Sequence, residues 1–385
     1  MWSIKSPEKI CSNCVMDDTV PDIHFDDKGK CNYCYHYEEL ENDYPRGSQG
    51  LLEFKRYLLD IKRSGKNQEY DCVIGLSGGT DSTYLIYMMK RLGLRPLAVN
   101  LDNGWHSEIA VNNIKNCLDE LQVDLRTHVI DWEEIRKIHG SFLKANLPWP
   151  DGVTDIAIKS ALFKIAAEEN IRHVLIGQDF RTEGRQPTEW TYIDGHMIKH
   201  LSSKIGGINL KTFPNLTVFD LFYYVIIKRI KLLKPFWYLP YDKAKARALI
   251  EKRLGWRYYG GHHHESLFTK FIISYWLPRK FGIDKRKVTF SALIRSGELS
   301  RESALERLDG PPYDVDEMEE DKDYFIKKLG LTQETFQSIW DDENRKFSDF
   351  PSYYPLYLLL QRIIDKVFSY IFPAKKMITY RINKK

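Results

Sequence analysis

Residues Val73–Leu85 read VIGLSGGTDSTYL, and they decide how the rest of the chain is interpreted. An apolar strand pattern leads into two glycines, which let backbone N–H groups approach phosphate oxygens, and a helical pattern follows. The lysine of a Walker A loop, which serves transfer of a γ-phosphoryl group, is missing. Asp81 stands in the loop instead, and a carboxylate there suits Mg²⁺. The residues predicted to bind nucleotide phosphates are Ser77, Gly78, Gly79, Thr80, Asp81 and Ser82.

Apolar strand patterns alternate with amphipathic helical patterns around this loop. The strand patterns cover residues 71–76, 95–101, 125–130 and 171–177, and the helical patterns cover residues 82–94, 107–122, 131–145 and 155–170. This alternation predicts βαβ units and therefore an α/β fold with a doubly wound parallel sheet. Ligands bind such sheets at the carboxyl ends of the strands. Three of these ends carry polar or glycine-rich turns, at Gly75–Ser82, Asp102–Gly104 and Gly177–Asp179.

Four of the six cysteines form two Cys-x2-Cys pairs near the start of the chain, separated by the sixteen residues 15–30. Two such turns bring four thiolates together around one tetrahedral metal ion, typically Zn²⁺. No coordination position is left open, so the zinc is expected to be structural. A redox pair and four unrelated core cysteines are the alternatives. The predicted ligands are Cys11, Cys14, Cys31 and Cys34, whereas Cys72 and Cys117 are expected in the core.

The composition is that of an ordinary globular protein of 385 residues, with 43% hydrophobic and 29% charged residues. A net charge of +4 is mild for this length and does not by itself argue for a nucleic-acid partner, which usually requires a concentrated basic face, and we expect none. The N-terminus MWSIKSPEKICSNC lacks the apolar run of a signal peptide, and no charge-free stretch has transmembrane length. We therefore expect a cytoplasmic protein.

Four regions are predicted along the chain. They are a zinc-binding segment at 1–46, an ATP-binding domain at 47–190, a substrate-binding and helical part at 191–345 and an amphipathic tail at 346–385. Residues 221–241 are apolar and basic, and we expect them to pack as a helix against the main body. Short capped helices between residues 295 and 340 form a C-terminal helical appendage. For residues 353–373, packing and peripheral contact with an anionic inner-membrane surface are equal alternatives.

Residues 256–286 combine three histidines with lysines, arginines and aromatic side chains. This composition suits a flat anionic ligand such as a nucleotide sugar, although runs of cations are also typical of a solvated surface. We expect a helix from Glu265 to Trp276. The spacing gives no support for metal binding by His262, His263 and His264, and it does not show which of them faces a ligand.

The pattern S-G-G-x-D-S resembles that of the pyrophosphate-loop ATPases, which cleave ATP between the α and β phosphates and release pyrophosphate. A longer ordered set of segments, across roughly residues 9–340, resembles the bacterial N-acetyl sugar amidotransferases of lipopolysaccharide O-antigen biosynthesis. The segments are CSNCVMDDTVPDIHFDDKGKCNYC, VIGLSGGTDSTYL, LAVNLDNGWHSEIAVNNI, THVIDWEE, TEG, LKTFP, GWRYYGGHHHESLFTKF and LPRKFGIDKRK.

This resemblance implies that an N-acetyl group on a UDP-linked diacetamido uronic acid becomes an acetamidino group. ATP would adenylylate the amide oxygen, ammonia would add to the carbon, and AMP would leave. The implied cofactors are ATP, Mg²⁺ and structural Zn²⁺. The implied catalytic residues are Asp81, His263, Glu265 and Lys270. Adenine and ribose are expected near Asp102, Asn103 and Gly177, and substrate phosphates or a carboxylate near Glu183, Arg279, Lys280 and Arg286.

We also expect the ammonia to come from a source outside this chain. The chain begins Met1-Trp2 and has no Gly-x-Cys-x-Gly elbow, so we do not expect the cysteine nucleophile of a built-in glutaminase. The resemblance implies a separate glutaminase as partner, often with a cyclase-like companion that channels ammonia.

Two other functions stay open. A tRNA thiolase also combines a pyrophosphate loop with paired cysteines, but it normally needs a catalytic cysteine near the loop and a strongly basic surface. A non-enzymatic ATP-sensing protein is the second alternative, and the dense polar segment 256–286 is more than a sensor requires.

Overall fold

The computed structural model describes residues 7–360, and five strands among them form a parallel sheet. The strands are β1 (Cys72–Gly75), β2 (Pro96–Asp102), β3 (Leu125–Val129), β4 (His173–Leu175) and β5 (Lys231–Leu233). Their order across the sheet is β3-β2-β1-β4-β5. Val73 of β1 lies opposite Leu97 of β2 on one side and Val174 of β4 on the other. The predicted α/β fold with a doubly wound parallel sheet is confirmed.

Helices surround this sheet and extend beyond it. In the described part of the chain the α-helices are α1 (Asn32–Asp43), α2 (Ser48–Ser64), α3 (Thr80–Arg91), α4 (Glu108–Leu121), α5 (Trp132–Lys144), α6 (Gly152–Glu168), α7 (Phe180–Glu183), α8 (Thr188–Thr191), α9 (Gly195–Lys204), α10 (Val218–Phe222), α11 (Lys243–Leu254), α12 (Leu267–Phe271), α13 (Arg286–Ser296), α14 (Arg301–Leu308), α15 (Val315–Lys328) and α16 (Gln333–Asp341). Segments Tyr223–Ile227 and Ile272–Phe281 are π-helical, and 3₁₀ turns lie at Pro235–Trp237 and Phe347–Asp349. The last helices form the helical C-terminal region expected from the sequence.

The order of the strands explains where a ligand can bind. From β1 the chain moves outward to β2 and β3, and it then returns to the other side of β1 for β4 and β5. Such a reversal opens a crevice at the carboxyl ends of the two strands where it occurs, here β1 and β4. The loop Ser77–Ser82 enters this crevice because it follows β1 directly and leads into α3.

The prediction of a helix across residues 221–241 is wrong for most of that segment. The π-helix Tyr223–Ile227 occupies its first part, and strand β5 follows. Arg229, with a φ of 55°, turns the chain between the two elements. Strand β5 pairs with β4 and forms one edge of the sheet. A strand of three residues is too short for an alternating pattern to reveal it.

The helix predicted from Glu265 to Trp276 begins at Leu267 and changes its form. After α12 it continues as the π-helix Ile272–Phe281, which contains Pro278. Because proline lacks the N–H that bonds residue i−4, a regular α-helix is interrupted there. The side chains of this segment therefore point in directions that an ideal helical wheel does not give.

The four N-terminal cysteines pack against the C-terminal helices. They are buried and share one apolar cluster with Phe268, Trp276 and Phe325. The Arg301 guanidinium donates hydrogen bonds to the carbonyl oxygens of Cys14 and Cys11, each at 3.1 Å. These contacts join the N-terminal cysteine segment to α14. The predicted domain boundaries at residues 46, 190 and 345 stay predictions.

His139 of α5 makes the fold sensitive to acid. Within residues 7–360 neither ring nitrogen has a hydrogen-bond partner, and the ring stacks on Phe268 with centroids 3.9 Å apart. Burial lowers the pKa of His139 from 6.5 to about 3. Below pH 6.5 the unfolded chain therefore binds a proton that the folded chain does not, and stability present above that pH is lost as the pH falls toward 3.

We expect His139→Phe to flatten this pH dependence. Each unit of pH between 6.5 and 5 costs the wild-type chain up to about 1.4 kcal/mol of unfolding free energy through this group. Phenylalanine keeps the stacked ring and removes the titration. Urea unfolding at several pH values measures the slope, and equal slopes for the two chains would contradict the assignment.

No helix found within residues 7–360 is both long and apolar enough to cross a bilayer. Residues 361–385 lie outside the described residues. Most of the amphipathic segment 353–373, for which packing and membrane contact were the alternatives, belongs to that part of the chain.

Candidate active site

A cavity of about 1320 Å³ opens at the carboxyl ends of β1 and β4. Ten of the residues singled out from the sequence line it, namely Ser77, Gly79, Thr80, Asp81, Ser82, Asn103, Gly177, Glu183, His263 and Glu265. They come from four separate parts of the chain, which the fold brings to one place. Gly78 lies within the turn of the loop, and Asp102 lies beside the cavity, where its carboxylate accepts a hydrogen bond from Gly104 N at 2.9 Å.

The phosphate loop is anchored from its outer side. The carbonyl of Gly78 accepts hydrogen bonds from Trp256 Nε1 at 2.8 Å and from Asn113 Nδ2 at 3.3 Å. Ser77 N donates to Ser82 Oγ at 3.2 Å, which closes the turn onto the start of α3. The loop is therefore shaped in advance by side chains from α4 and from the segment after α11.

The inner side of the loop is less firmly bonded. Gly79 N donates to Ser77 Oγ at 3.3 Å, and Thr80 N donates to Tyr259 Oη at 3.4 Å. Both distances are long for hydrogen bonds from backbone N–H groups. A phosphate oxygen in the cavity can replace these hydroxyl groups, as the sequence pattern predicts.

Gly78 is expected to tolerate no side chain. Its φ is 78°, and an added Cβ would lie 2.4 Å from the carbonyl oxygen of Ala110. Gly297 has a similar φ of 81° with nothing within 4 Å of such a Cβ, so it separates backbone strain from collision. We expect Gly297→Ala to cost about 1–2 kcal/mol of stability. Gly78→Ala should cost more and abolish ATP binding, measured by thermal unfolding and calorimetry. Equal effects of the two substitutions would contradict this account of the loop.

Gly177 allows the end of β4 to approach the start of α3 closely. A Cβ at this position would lie 2.8 Å from both the carbonyl carbon and the carbonyl oxygen of Asp81. Only glycine permits this contact, and the contact fixes Asp81 relative to the next strand end. The position of Gly177 after a strand pattern was the signal that identified it.

Three carboxyl groups meet beneath the loop, those of Asp81, Asp179 and Glu183. Asp179 is 1% exposed, and neither of its carboxyl oxygens has a hydrogen-bond partner in the part of the chain that the structure describes. Burial, with the nearby charge of Asp81 as a further cause, raises the pKa values of Asp179 and Glu183 to about 7. Carboxylate oxygens gathered beside a phosphate loop form the donor set that Mg²⁺ binds.

Two side chains that contact Asp81 were not among the site residues predicted from the sequence. The Asp81 carboxylate accepts hydrogen bonds from Tyr241 Oη and from Lys243 Nζ, the latter at 2.9 Å. Burial opposes the charge of Lys243, but Asp81 and Glu183 outweigh it and raise its pKa. Both partners lie more than 150 residues downstream, and no local motif marks them. Asp179, by contrast, stands at a strand end that the sequence analysis had located.

His263 and Glu265 form a pair in the cavity that contains the phosphate loop. His263 has a φ of 60°, and its Nδ1 lies 3.4 Å from Glu265 Oε1. Burial lowers the pKa of His263, but the hydrogen bond and the charge of Glu265 outweigh it and raise the pKa above its usual value. Burial likewise opposes the ionised form of Glu265, yet the bond to His263 holds its pKa below the usual value. Each group of the pair thus favours the charged form of the other.

Four cations that were predicted to bind substrate do not line the cavity in the described part of the chain. They are Lys270, Arg279, Lys280 and Arg286. Lys270 pairs with Glu317 at 2.5 Å and Asp321 at 2.6 Å, and Arg286 pairs with Asp284 at 2.7 Å. The other two contact aromatic rings and backbone carbonyls. These residues are neighbours in sequence, but the helical path turns them in different directions. Their assignment to substrate stays a prediction without a contact in its favour.

The Sγ atoms of Cys11, Cys14, Cys31 and Cys34 lie within 4.8 Å of one another. Three of the separations are 3.9, 3.8 and 3.7 Å. A metal bound tetrahedrally by four sulfurs at about 2.3 Å places them about 3.8 Å apart. The guanidinium of Arg295 donates to Cys14 Sγ at 3.1 Å and to Cys34 Sγ at 3.3 Å, which suits thiolates rather than thiols. The cluster therefore fits a single tetrahedral metal ion.

One part of the chain is similar to a known protein family. Residues 265–363 match the family described as LPS biosynthesis protein WbpG-like, C-terminal domain. This range includes Glu265 of the cavity and continues through the C-terminal helices. No curated protein matches the chain.

Several solved structures resemble the fold at low similarity. The U34-tRNA thiolase NcsA from Methanococcus maripaludis, with its 4Fe-4S cluster, is 14% identical over 80% of this chain and 89% of its own, with a TM-score of 0.31. The NH3-dependent NAD synthetase from Campylobacter jejuni is 16% identical over 52% of this chain and 91% of its own, with a TM-score of 0.27. Such values carry no argument about function.

Proposed function

We propose that this chain, whose residues 265–363 match the WbpG-like lipopolysaccharide biosynthesis family, is an ATP-dependent amidotransferase acting on an N-acetyl sugar. The observation that carries the proposal is the phosphate loop Ser77–Ser82, which shares one cavity with carboxyl groups and with the His263–Glu265 pair. A phosphate loop without the lysine of γ-phosphoryl transfer suits cleavage of ATP between its α and β phosphates.

The proposed reaction activates an amide, which is a poor electrophile. The oxygen of the N-acetyl group attacks the α-phosphorus of ATP, the bond to the bridging oxygen breaks, and pyrophosphate leaves. Ammonia then adds to the carbon of the resulting O-adenylyl imidate. AMP departs with the former amide oxygen, and an acetamidino group remains. Catalysis consists mainly of positioning and of neutralising charge on the phosphates.

The phosphate loop and the carboxyl groups would divide the handling of ATP. The N–H groups and hydroxyls of Ser77–Ser82 bind the pyrophosphate portion. Asp81, Asp179 and Glu183 would hold Mg²⁺, which neutralises phosphate charge when bound. Lys243 holds the Asp81 carboxylate in place through the contact at 2.9 Å.

Glu265 is assigned to the incoming ammonia. Its Oε2 is buried and has no hydrogen-bond partner within the described residues, while Oε1 faces His263. An unpartnered carboxylate oxygen can accept an N–H and orient the nitrogen lone pair toward the imidate carbon. His263 contacts this carboxylate through Nδ1 and faces the same cavity.

The two cysteines outside the metal cluster favour this function over a thiolase. Cys72 and Cys117 are fully buried. Burial raises the pKa of the Cys117 thiol to about 12, and it raises that of Cys72 further. Neither suits a sulfur carrier or a glutaminase nucleophile, which must be a reachable thiolate. We therefore propose that ammonia comes from a separate glutaminase, delivered through a cyclase-like subunit, and that the acceptor sugar is carried on UDP.

A screen of ATP cleavage tests the function. The chain is incubated with ATP, Mg²⁺ and ammonium chloride over a set of UDP-linked N-acetyl sugars and their uronic acids. Formation of AMP and pyrophosphate that depends on one sugar supports the proposal and identifies the substrate. No AMP with any sugar, but AMP with tRNA and a sulfur donor, would assign the chain to the thiolases instead.

We also propose that the C-terminal tail contacts an anionic membrane surface. Residues 361–385 contain seven Lys and Arg residues and one Asp. Leu359, next to the point where this segment begins, is 81% exposed. We expect the full chain to co-sediment with anionic vesicles, and a chain ending at Leu360 to do so much less. Equal sedimentation of the two chains would contradict membrane contact by the tail.

A further inference from the structure

The short helix α7 carries two of the carboxyl groups assigned to the metal ion of ATP. Asp179 directly precedes the helix, and Glu183 is its last residue. One backbone hydrogen bond, from Glu183 N to the carbonyl oxygen of Asp179 at 3.1 Å, closes the turn. A single helical turn has little stability of its own, because few hydrogen bonds offset the cost of ordering it. The positions of both carboxyl groups therefore depend on the contacts that hold α7 from outside.

Arg181, in the middle of α7, makes the most extensive of these contacts. It is 6% exposed and is not among the described residues that line the cavity. Its Nε and Nη2 donate to the two carboxylate oxygens of Glu41, at 2.7 and 3.1 Å. Nη2 also donates to the carbonyl oxygen of Tyr44 at 2.6 Å, and Nη1 donates to that of Trp237 at 3.2 Å. A guanidinium paired on all its nitrogen atoms is a rigid anchor, so α7 is tied to the chain around residues 41–44.

The same guanidinium acts on Asp179 through its charge. Arg181 Nη1 lies 3.9 Å from Asp179 Oδ1. Burial raises the pKa of Asp179 to about 7, and the charge of Arg181 opposes this rise. A nearby cation favours the ionised carboxylate, which is the form that binds a metal ion. Arg181 therefore supports Asp179 by charge and Glu183 through the helix that both residues share.

The partner of Arg181 belongs to the cysteine segment. Helix α1, which contains Glu41, begins directly after Cys31 and includes Cys34. Glu41 follows Cys34 by about two helical turns. A metal ion held by the cysteines would fix the start of α1 and, through the rigid helix, the place of the Glu41 carboxylate.

A second helix connects the same two places by an independent route. Helix α13 packs against α7 so closely that a Cβ on Gly184 would lie 2.8 Å from the carbonyl oxygen of Val288. Near the other end of α13, Arg295 donates to the Sγ atoms of Cys14 and Cys34. Helix α7 is thus held between α1 and α13, and both of these helices contact the cysteine cluster.

We propose that Arg181 is a positioning residue, through which the cysteine segment holds the carboxyl groups of Asp179 and Glu183 where they bind the metal ion of the nucleotide. The inference rests on the proposed function for the task of these two groups. It gives the cysteine segment a part in the reaction besides its part in folding, although none of the four cysteines lines the cavity.

Metal binding without turnover tests this role. The full chain, purified with its cysteine-bound metal, is titrated with Mn²⁺ in the presence of α,β-methylene-ATP, which cannot be cleaved between the α and β phosphates. Electron paramagnetic resonance measures the free Mn²⁺. We expect Arg181→Met to raise the Kd for Mn²⁺ about tenfold or more, since losing a residue that orients metal ligands typically costs a factor of about 10 to 100.

Two further variants make the result specific. Arg46→Met is the matched control, because Arg46 also pairs with Glu41, at 3.1 Å, but its side chain is 49% exposed. Its Kd for Mn²⁺ should stay within about threefold of the wild-type value, as expected for an exposed ion pair. Glu41→Gln keeps the shape of the anchor and weakens its charge, and it should raise the Kd in the same direction if Arg181→Met folds poorly.

Binding of the same analogue in EDTA separates positioning from a general loss of structure. It depends on the loop Ser77–Ser82, which Asn113 and Trp256 anchor from the other side. The Kd for the metal-free analogue should therefore be unchanged in Arg181→Met, and an equal loss of binding with and without Mn²⁺ would overturn the positioning role.

Three other results would overturn the inference as well. They are wild-type Mn²⁺ affinity in both Arg181→Met and Glu41→Gln, an equal effect of Arg46→Met, and no Mn²⁺ binding by the wild-type chain with the analogue. If Mn²⁺ binding depends on Arg181 but no sugar yields AMP, the positioning role stands and the proposed reaction fails.

Discussion

Replacing Asp81 by asparagine is expected to lower kcat by about a thousandfold. The carboxylate lies in the phosphate loop, contacts Tyr241 and Lys243, and lies near the carboxyl group of Glu183. Asparagine keeps the shape but removes the negative charge that would bind Mg²⁺ and pair with Lys243. Losing one preorganised electrostatic contact to a reacting phosphate typically costs a factor of 10² to 10³. Because the bound metal would be lost as well, we expect the decrease in kcat to lie at the upper end of this range.

The rate of AMP formation, measured with the sugar found in the screen, checks this expectation. Asp242→Asn is the matched control, because Asp242 adjoins the same two partners but caps α11 through Lys245 N at 3.0 Å. Asparagine caps helices as well as aspartate does, so this variant should retain activity. A loss below tenfold in Asp81→Asn, with the protein folded, would remove Asp81 from the mechanism.

Replacing Cys31 by serine is expected to have the largest effect on stability. We propose that the cysteine cluster holds one Zn²⁺, because the sulfur separations of 3.7 to 3.9 Å are those of a single tetrahedral ion. Structural zinc contributes about 10–16 kcal/mol to the folding of isolated zinc-finger peptides, so loss of one thiolate removes much of that stabilisation. The variant should bind less than one zinc per chain and melt at least about 10 °C lower.

Metal analysis and thermal unfolding of the purified chains provide the measurement. Cys117→Ala serves as the control, since it removes a buried thiol outside the cluster and should leave the zinc content unchanged. One zinc per chain in the wild type, lost in Cys31→Ser alone, supports the site. Iron with acid-labile sulfide in its place would contradict a single tetrahedral ion.

Local patterns were enough to predict the loop, the cysteine cluster and most of the sheet. The glycines, Asp81 and the flanking strand and helix lie within a dozen residues, so one segment of sequence contains the whole signal. The paired cysteines are similarly local. Both predictions depend on geometry that a short segment determines by itself.

The walls of the cavity could not be predicted in the same way. Tyr241 and Lys243 reach Asp81 from 160 and 162 residues away, after a strand too short to show a pattern. Lys159 of α6 and Lys234, which follows β5, line the same cavity because α6 and β5 both pack beside β4. The prediction that the cations near residue 280 bind substrate failed for the opposite reason. They are close in sequence, but the π-helical path turns them away from the cavity.

Transfer of oxygen from the sugar to AMP tests the central claim most directly. The N-acetyl carbonyl of the substrate is labelled with ¹⁸O, and the products are separated and examined by mass spectrometry. Activation through an O-adenylyl imidate requires the label to appear in the phosphate of AMP, with unlabelled pyrophosphate and an amidine that has lost it. Label retained in the sugar, or ADP and phosphate as the products of ATP, would contradict the mechanism.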